Sequence, residues 1–279
     1  MIVRSLRQPL WILFFVLFAG QQAIAQVDTI SPQHHPLHTS WLQPGLRQYL
    51  VYFQFPDKPK LLNFSLWMRE VIKNQDVFEV KQTWYNADTN YFKTFYSINR
   101  ASDFSPLYHS ETGHNGQKAY DWSATGVKAA DTVAFNKAAP YQLDFDGPNY
   151  NWHLDIETFE MLPLAAGKTF YIRFYDAGLD PPAYVKYTVT GSELLTTLDN
   201  RQVDCWMLQI TGKAPQGFDY VQTFWISKAG HEFLKEVDSY NGVFRYKIKL
   251  PGLTPNLPEV LRQVVFSRSP IKLPVSPRR

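Results

Sequence analysis

The sequence predicts an all-β fold with a minor helical component, built as an antiparallel meander. Two observations carry this expectation. Segments of about eight residues alternate apolar and polar side chains, the signature of a strand with one buried face. Gly, Pro, Asn and Asp separate these segments at close intervals, which suits hairpins and leaves no room for crossover helices. Aromatic residues make up 16 % of the chain, and they favour pleated, half-buried surfaces.

The chain opens on a basic stretch with Arg4 and Arg7, followed by the apolar run Pro9 to Gly20 and the small-x-small triplet Ala23-Ile24-Ala25. This pattern is that of a signal peptide over residues 1–25, cleaved after Ala25, which predicts export to the periplasm. The apolar run is too short to serve as a spanning helix, which needs about 20 residues. No Cys lies near the cut, so a lipoprotein anchor is not expected. Residues 26–46, punctuated by Pro32, Pro36 and Pro44, read as a flexible linker.

Residues 47–250 read as a single β-rich domain. In its first half the strand segments are 48–55, 63–72, 77–85 and 90–99. Phe64, Leu66 and Met68 fall on one face of the second, with Arg69 pointing the other way. Phe78, Val80, Gln82 and Trp84 share a face of the third, and Phe92, Thr94, Tyr96 and Ile98 share one of the fourth. In the second half the segments are 168–176, 183–191, 202–212, 219–227, 232–240 and 242–250. Between the two halves, HLDIETFEMLPL (153–164) has helix formers, with Ile156 and Phe159 near helical spacing. Asp155 sits early, where it suits the helix dipole, and Pro163 ends the run. Residues 251–279 hold five basic residues against Glu259 and read as a disordered tail that could touch anionic lipid. The body between linker and tail is slightly acidic, which argues against nucleic acid as a partner.

The segment 153–250 resembles an uncharacterised family of periplasmic β-domains that in turn resembles the bacterial lipoprotein-sorting carriers. The residues that carry the resemblance are the short helix leading to LPLAAGKTFYIRFYDAG, then YTVTGSE and VDCWMLQITG. The hairpin VQTFWISKAGHEFLKEVDSYNG follows them. The resemblance implies a strongly curved antiparallel sheet, a half-open β-barrel with one short helix on its concave side. It also implies a hollow that takes acyl chains. A single helix is a departure, since the carriers close their hollow with several.

No catalytic motif emerges: there is no G-x-S-x-G, no P-loop and no Cys-x-x-Cys. Cys205 is the only cysteine and alternates with Val203 and Met207 in a strand, as a small buried hydrophobe would. His34, His35 and His38 lie in the linker without a closed metal-ligand set. His109 and His114 bracket SETG in a hairpin. His153 and Glu157 are four apart on the helix and are expected to form an exposed ion pair. Asp144 and Asp146 read as a solvated strand end, although with Asp155 or Glu157 they could supply the acid and base of an envelope glycan hydrolase. Neither a cofactor nor a metal is expected, and a non-enzymatic role is favoured.

Trp84, Trp122, Trp152, Trp206 and Trp225 are either core or the lining of an apolar cavity. A curved sheet that one helix cannot cover leaves apolar surface to be filled. The candidate lining residues are Trp84, Trp122, Trp152, Ile156, Phe159, Phe174 and Trp225. The expected function is an exported envelope binding protein for an apolar small molecule or lipid-like group. A protein partner in an outer-membrane assembly, bound through an exposed strand edge, is the alternative to it.

Overall fold

The computed structural model describes residues 26–253 apart from 35, 36, 59, 60, 87, 180 and 215. The expected signal peptide and nearly all of the expected tail therefore lie outside the described residues.

The first arm of the chain contains β1 (Val27–Ile30), β2 (Gly45–Gln54), β3 (Leu62–Asn74), β4 (Val77–Asn86) and β5 (Lys93–Arg100). It continues through β6 (Pro106–Gly113), β7 (Gly116–Trp122), β8 (Gly126–Ala129), β9 (Gln142–Asp144) and β10 (Tyr150–Asn151). A 3-10 turn at Trp152–Leu154 then leads into α1 (Asp155–Glu160). The second arm holds β11 (Thr169–Tyr175), β12 (Ala183–Thr196), β13 (Gln202–Lys213), β14 (Asp219–Ser227), β15 (Phe233–Tyr240) and β16 (Val243–Lys249).

All strands form one open sheet. Its order runs β1-β11-β12-β13-β14-β15-β16-β2-β3-β4-β5-β6-β7-β8-β9, with β10 alongside β11. Strands β2 to β9 and β11 to β16 each form an antiparallel meander, β1 and β10 pair in parallel with β11, and the pairing of β16 with β2 joins the last strand to the first long one. The predicted all-β class is thus the observed one. Between β11 and β3 lie seven strand spacings, about 34 Å across a flat sheet at the usual inter-strand distance. Yet side chains of α1 meet β11 through Phe174 and β12 through Tyr187 on one side, and β3 through Arg69 on the other. A helix about 10–12 Å wide reaches both only if the sheet curls around it. Irregular pairing at Val189/Gly191 and at Trp225/Ile226 accompanies that curvature, as β-bulges do.

The main core sits inside the curl. Ile156, Phe159, Phe170, Phe174, Tyr187, Leu208, Phe224 and Phe233 are all essentially inaccessible there. Two differences from the sequence reading concern this interior. Residues expected to be linker contribute to it: β1 pairs in parallel with β11, and Ile30, Leu37 and Leu42 are buried. A four-residue strand has too little alternation to be seen alone; its pairing with β11 makes it.

The second difference is one of facing. Arg69 points inward and is 2 % exposed, whereas Phe64, with Leu66 and Met68 on its face, points outward and is 53 % exposed. In β5 the buried face likewise carries Phe95, Ser97 and Asn99 rather than Thr94, Tyr96 and Ile98. Period-two alternation identifies the strand but not which face is covered. On β3 the covered face is the one with Arg69, because α1 offers it the Glu157 carboxylate.

Candidate functional site

α1 is short, but the residues before it and within it are tied down at each turn. The Asn151 side chain accepts from the His153 backbone N–H at 3.1 Å, and Thr158 Oγ1 donates to the Leu154 carbonyl at 2.9 Å. The Glu157 carboxylate is fully buried and accepts from both Nε and Nη2 of Arg69. Gln82 Nε2 and Arg69 Nη2 both donate to the His153 carbonyl. Glu160 accepts from the Phe233 backbone N–H at 2.9 Å and faces Arg47 at 3.3 Å. Burial pushes the Glu160 carboxyl up to about 7 in spite of Arg47. The expected exposed pair between His153 and Glu157 does not form. Glu157 is drawn into the interior by Arg69, while His153 Nε2 faces Asp176 at 3.3 Å and its ring stacks on His109. His109 is buried beside Ser97, and burial, then the neighbouring His153, holds its imidazole well below the ordinary range.

With the centre of the curl filled by α1, the open space lies at its mouth. A groove of about 480 Å³ runs there. Its floor is one cross-strand row: Phe53 on β2, Arg245 on β16, Asp238 on β15, Gln222 on β14 and Ile210 on β13 are successive partners in register. Trp152, 39 % exposed and packed on Phe174, forms one wall. Phe218, Tyr220 and Tyr240 line the groove as well. Tyr220 can lie across the neighbouring strand because its partner there is Gly212. A Cβ at Gly212 would fall 2.6 Å from the Tyr220 hydroxyl oxygen.

The polar part of this floor belongs to a buried charge network. Arg245 Nε donates to Asp238 Oδ2 at 2.6 Å, and Arg245 Nη2 and Lys247 Nζ both donate to Glu236. Burial opposes ionisation of Glu236, but Arg245 and Lys247 hold its carboxyl down at about 2. Burial, reinforced by the Glu236 charge, pushes Asp238 the other way, up to about 7. Lys247 also lies 4.8 Å from the ring of Trp67, which stacks on Trp84 at 3.9 Å.

The seven candidate lining residues are divided by the structure. Ile156, Phe159 and Phe174 form the core around α1, and Trp84 packs against it. Trp152 alone of the seven lines the groove. Trp122 belongs to a separate cluster with Tyr120, Val127, Ala138 and Tyr175. Trp225 is on the opposite face of β14 from Phe224, packed with Leu195, Cys205 and Leu234, and its Nε1 donates to Glu193. That face alternation removes Trp225 from any cavity shared with Phe159. Cys205 is buried as expected, and burial pushes its thiol up to about 12. Among the carboxylates, Asp146 is exposed and pairs with Arg173, whereas Glu157 is buried against Arg69. His38 stacks on Trp41, which stacks in turn on His231. Among the described residues no cluster of three or more His, Cys, Asp or Glu side chains is placed to hold a metal ion, and no helix is long and apolar enough to cross a membrane. The groove residues Phe53, Gln222, Asp238 and Arg245 were missed in the sequence. Their only local signal was inward alternation within strands, which is equally the signal of a core.

Residues 48–249 match the family DUF3108, described as a protein of unknown function. Among solved structures, a β-barrel-like protein of domain of unknown function DUF1849 from Brucella abortus is similar over 75 % of this chain and 96 % of its own. The identity is 10 % and the TM-score 0.53. Lipoprotein LppX of Mycobacterium tuberculosis aligns over 75 % of this chain and 90 % of its own, at 8 % identity and a TM-score of 0.23. A DUF1329 family protein from Desulfovibrio piger aligns over 76 % and 87 %, at 10 % identity and a TM-score of 0.24. The first of these likenesses supports the fold alone, and the other two carry no argument. No curated protein matches the chain.

Proposed function

This chain belongs to the DUF3108 family, and we propose that it is an exported cell-envelope binding protein whose half-barrel receives the apolar part of a ligand at its open end. The ligand class is an acyl chain or a lipid-like group. The observation that carries this reading is the groove of about 480 Å³ walled by Trp152, Phe218, Tyr220 and Tyr240. It has the size and mixed lining of a small-molecule site: apolar walls and a few convergent polar groups. The centre of the curl is not the binding volume, because α1 and its aromatic neighbours fill it. A ligand therefore lies along the mouth rather than threading the barrel. We assign the protein no catalytic role and no cofactor.

Native mass spectrometry of the protein purified from its own envelope, followed by organic extraction, tests the proposal. A co-purifying apolar molecule is expected, and it should be lost from Trp152→Asp and from Gly212→Val, which drives Tyr220 into the groove. A clean apo mass in every preparation, with no uptake of added fatty acid or alcohol, sinks the reading.

The outer face favours a second reading, that of an assembly partner in the envelope. Phe64 is 53 % exposed there, and Tyr52 and Tyr246 stack at 4.7 Å on neighbouring strands. The edge strands β1 and β9 have four and three residues, which leaves little backbone for strand addition. A pull-down from envelope extracts that recovers a stoichiometric partner with the wild type and loses it with Phe64→Asp would support the outer face; equal recovery with both would discard it.

A further inference from the structure

We propose a second binding site, for a neutral oligosaccharide, on the outer face of β4 to β7. It is independent of the groove at the barrel mouth.

An open groove of about 560 Å³ crosses these four strands. Its residues Thr94, Tyr96 and Ile98 lie on the face of β5 opposite Phe95, Ser97 and Asn99, so the sheet separates it from α1. The floor is ordered by strand register. Thr83, Thr94, Thr112 and Gln117 are successive cross-strand partners, and Lys81, Tyr96 and Ser110 form the next row. Residues 130–137 supply a wall. Asn136 accepts from the Ala119 backbone N–H at 3.0 Å and donates to its carbonyl at 2.8 Å, and the Lys137 N–H donates to the Gln117 carbonyl at 2.8 Å. This holds Thr132 at the rim.

The lining selects the ligand. Among the described residues no side-chain hydrogen bond takes up the polar groups of Thr83, Thr94, Ser110 or Gln117, and none of the four is closed to solvent. Hydroxyl and amide groups succeed one another at the strand spacing of about 4.8 Å, and such groups both donate and accept, as sugar hydroxyls do. Tyr96 and Tyr108 add two rings 6.1 Å apart and inclined by 57°. A tyrosine ring offers an apolar face to sugar C–H groups while its hydroxyl stays wet. Lys81 is the one charged side chain among the described lining residues. Its charge is countered by its cross-strand partner Glu70 and by Glu79, two residues along the same face. An anion therefore finds no surplus cation, and a metal ion no carboxylate in the lining. An apolar tail would desolvate the row of hydroxyls without replacing their bonds to water.

The test is a calorimetric titration of the protein without residues 1–25, using cellotetraose, chitotetraose and the anionic tetragalacturonate. Saturation by either neutral tetrasaccharide with a Kd below about 1 mM is expected. Thr94→Lys, which fills the middle of the floor row, should weaken it at least about tenfold, and Tyr108→Ala, which removes one ring, about three- to tenfold. Phe64→Ser, on the outer face but outside the groove, should leave it unchanged. Binding of neither neutral sugar, tighter binding of tetragalacturonate, or binding indifferent to Thr94→Lys and Tyr108→Ala overturns the proposal. The wild-type preference for a neutral sugar over tetragalacturonate, and the effect of whichever variant folds, are decisive should the other fail to fold.

Discussion

On the β11–β14 side of α1 the helix meets Phe174, Tyr187 and Phe224, with ring centroids 4.8–6.3 Å from Phe159. On the β2–β4 side it meets Arg47, Arg69 and Gln82, which hold Glu160, Glu157 and the His153 carbonyl. One six-residue helix thus joins two halves of a single concave surface by opposite chemistry. Ring packing is non-directional and rewards area removed from water. The ion pairs add little net stability over an apolar replacement, but each leaves a costly orphan if one partner is lost. The apolar half therefore anchors the helix, while the polar half fixes its rotation and depth. The groove opens where these two halves meet at the barrel mouth, between Ile210 of the apolar arm and the Asp238–Arg245 pair.

Four predictions would break or sharpen this contrast. Phe159→Ala removes the ring at the centre of the apolar half and should cost about 4 kcal/mol, measured by urea unfolding. A loss under about 1 kcal/mol would mean that the helix is not anchored there. Arg69→Met strands the Glu157 carboxylate and should cost about 3 kcal/mol, with most of it recovered in Arg69→Met/Glu157→Leu. If the double variant is no more stable than the single one, the pair contributes stability and not only position.

The third prediction concerns pH. In the folded protein Glu160 keeps its proton up to about 7, whereas its ordinary value is 4.5. Between those values the folded state binds the proton and the unfolded chain does not, so stability falls as pH rises. Asp238, raised to about 7 from 3.8, acts in the same direction. Glu236, lowered to about 2, acts oppositely and only at acid pH. Unfolding measured from pH 4.5 to 7 should show this decline in the wild type and a shallower one in Glu160→Gln. Identical slopes would remove Glu160 from the account. The smallest effect is expected for Phe64→Ser on the outer face, within about 0.5 kcal/mol. A larger loss would show that the outer apolar side chains are covered.

These contrasts also mark how far local pattern reaches. The strands from β2 to β5 and from β11 to β16 were legible within a few residues, because alternation is a property of each segment alone. So was the helix around Ile156 and Phe159, and so was the burial of Cys205. The strands β6 to β9 were less so, apart from the hairpin bracketed by His109 and His114, since Ser, Thr and Gly dilute their alternation.

What the sequence determined by itself is the β character, the antiparallel order of the long strands and the single helix that interrupts them. Only the tertiary structure decided which face of β3 and β5 is inside. It alone paired Arg69 with Glu157, 88 residues apart, and assembled Phe53, Arg245, Asp238, Gln222 and Ile210 into one row. The physical reason is that a period-two pattern has two equivalent faces until the sheet curls around something. The curl around α1 makes a buried arginine and an exposed phenylalanine the stable choice on β3, and no window of a few residues contains that information.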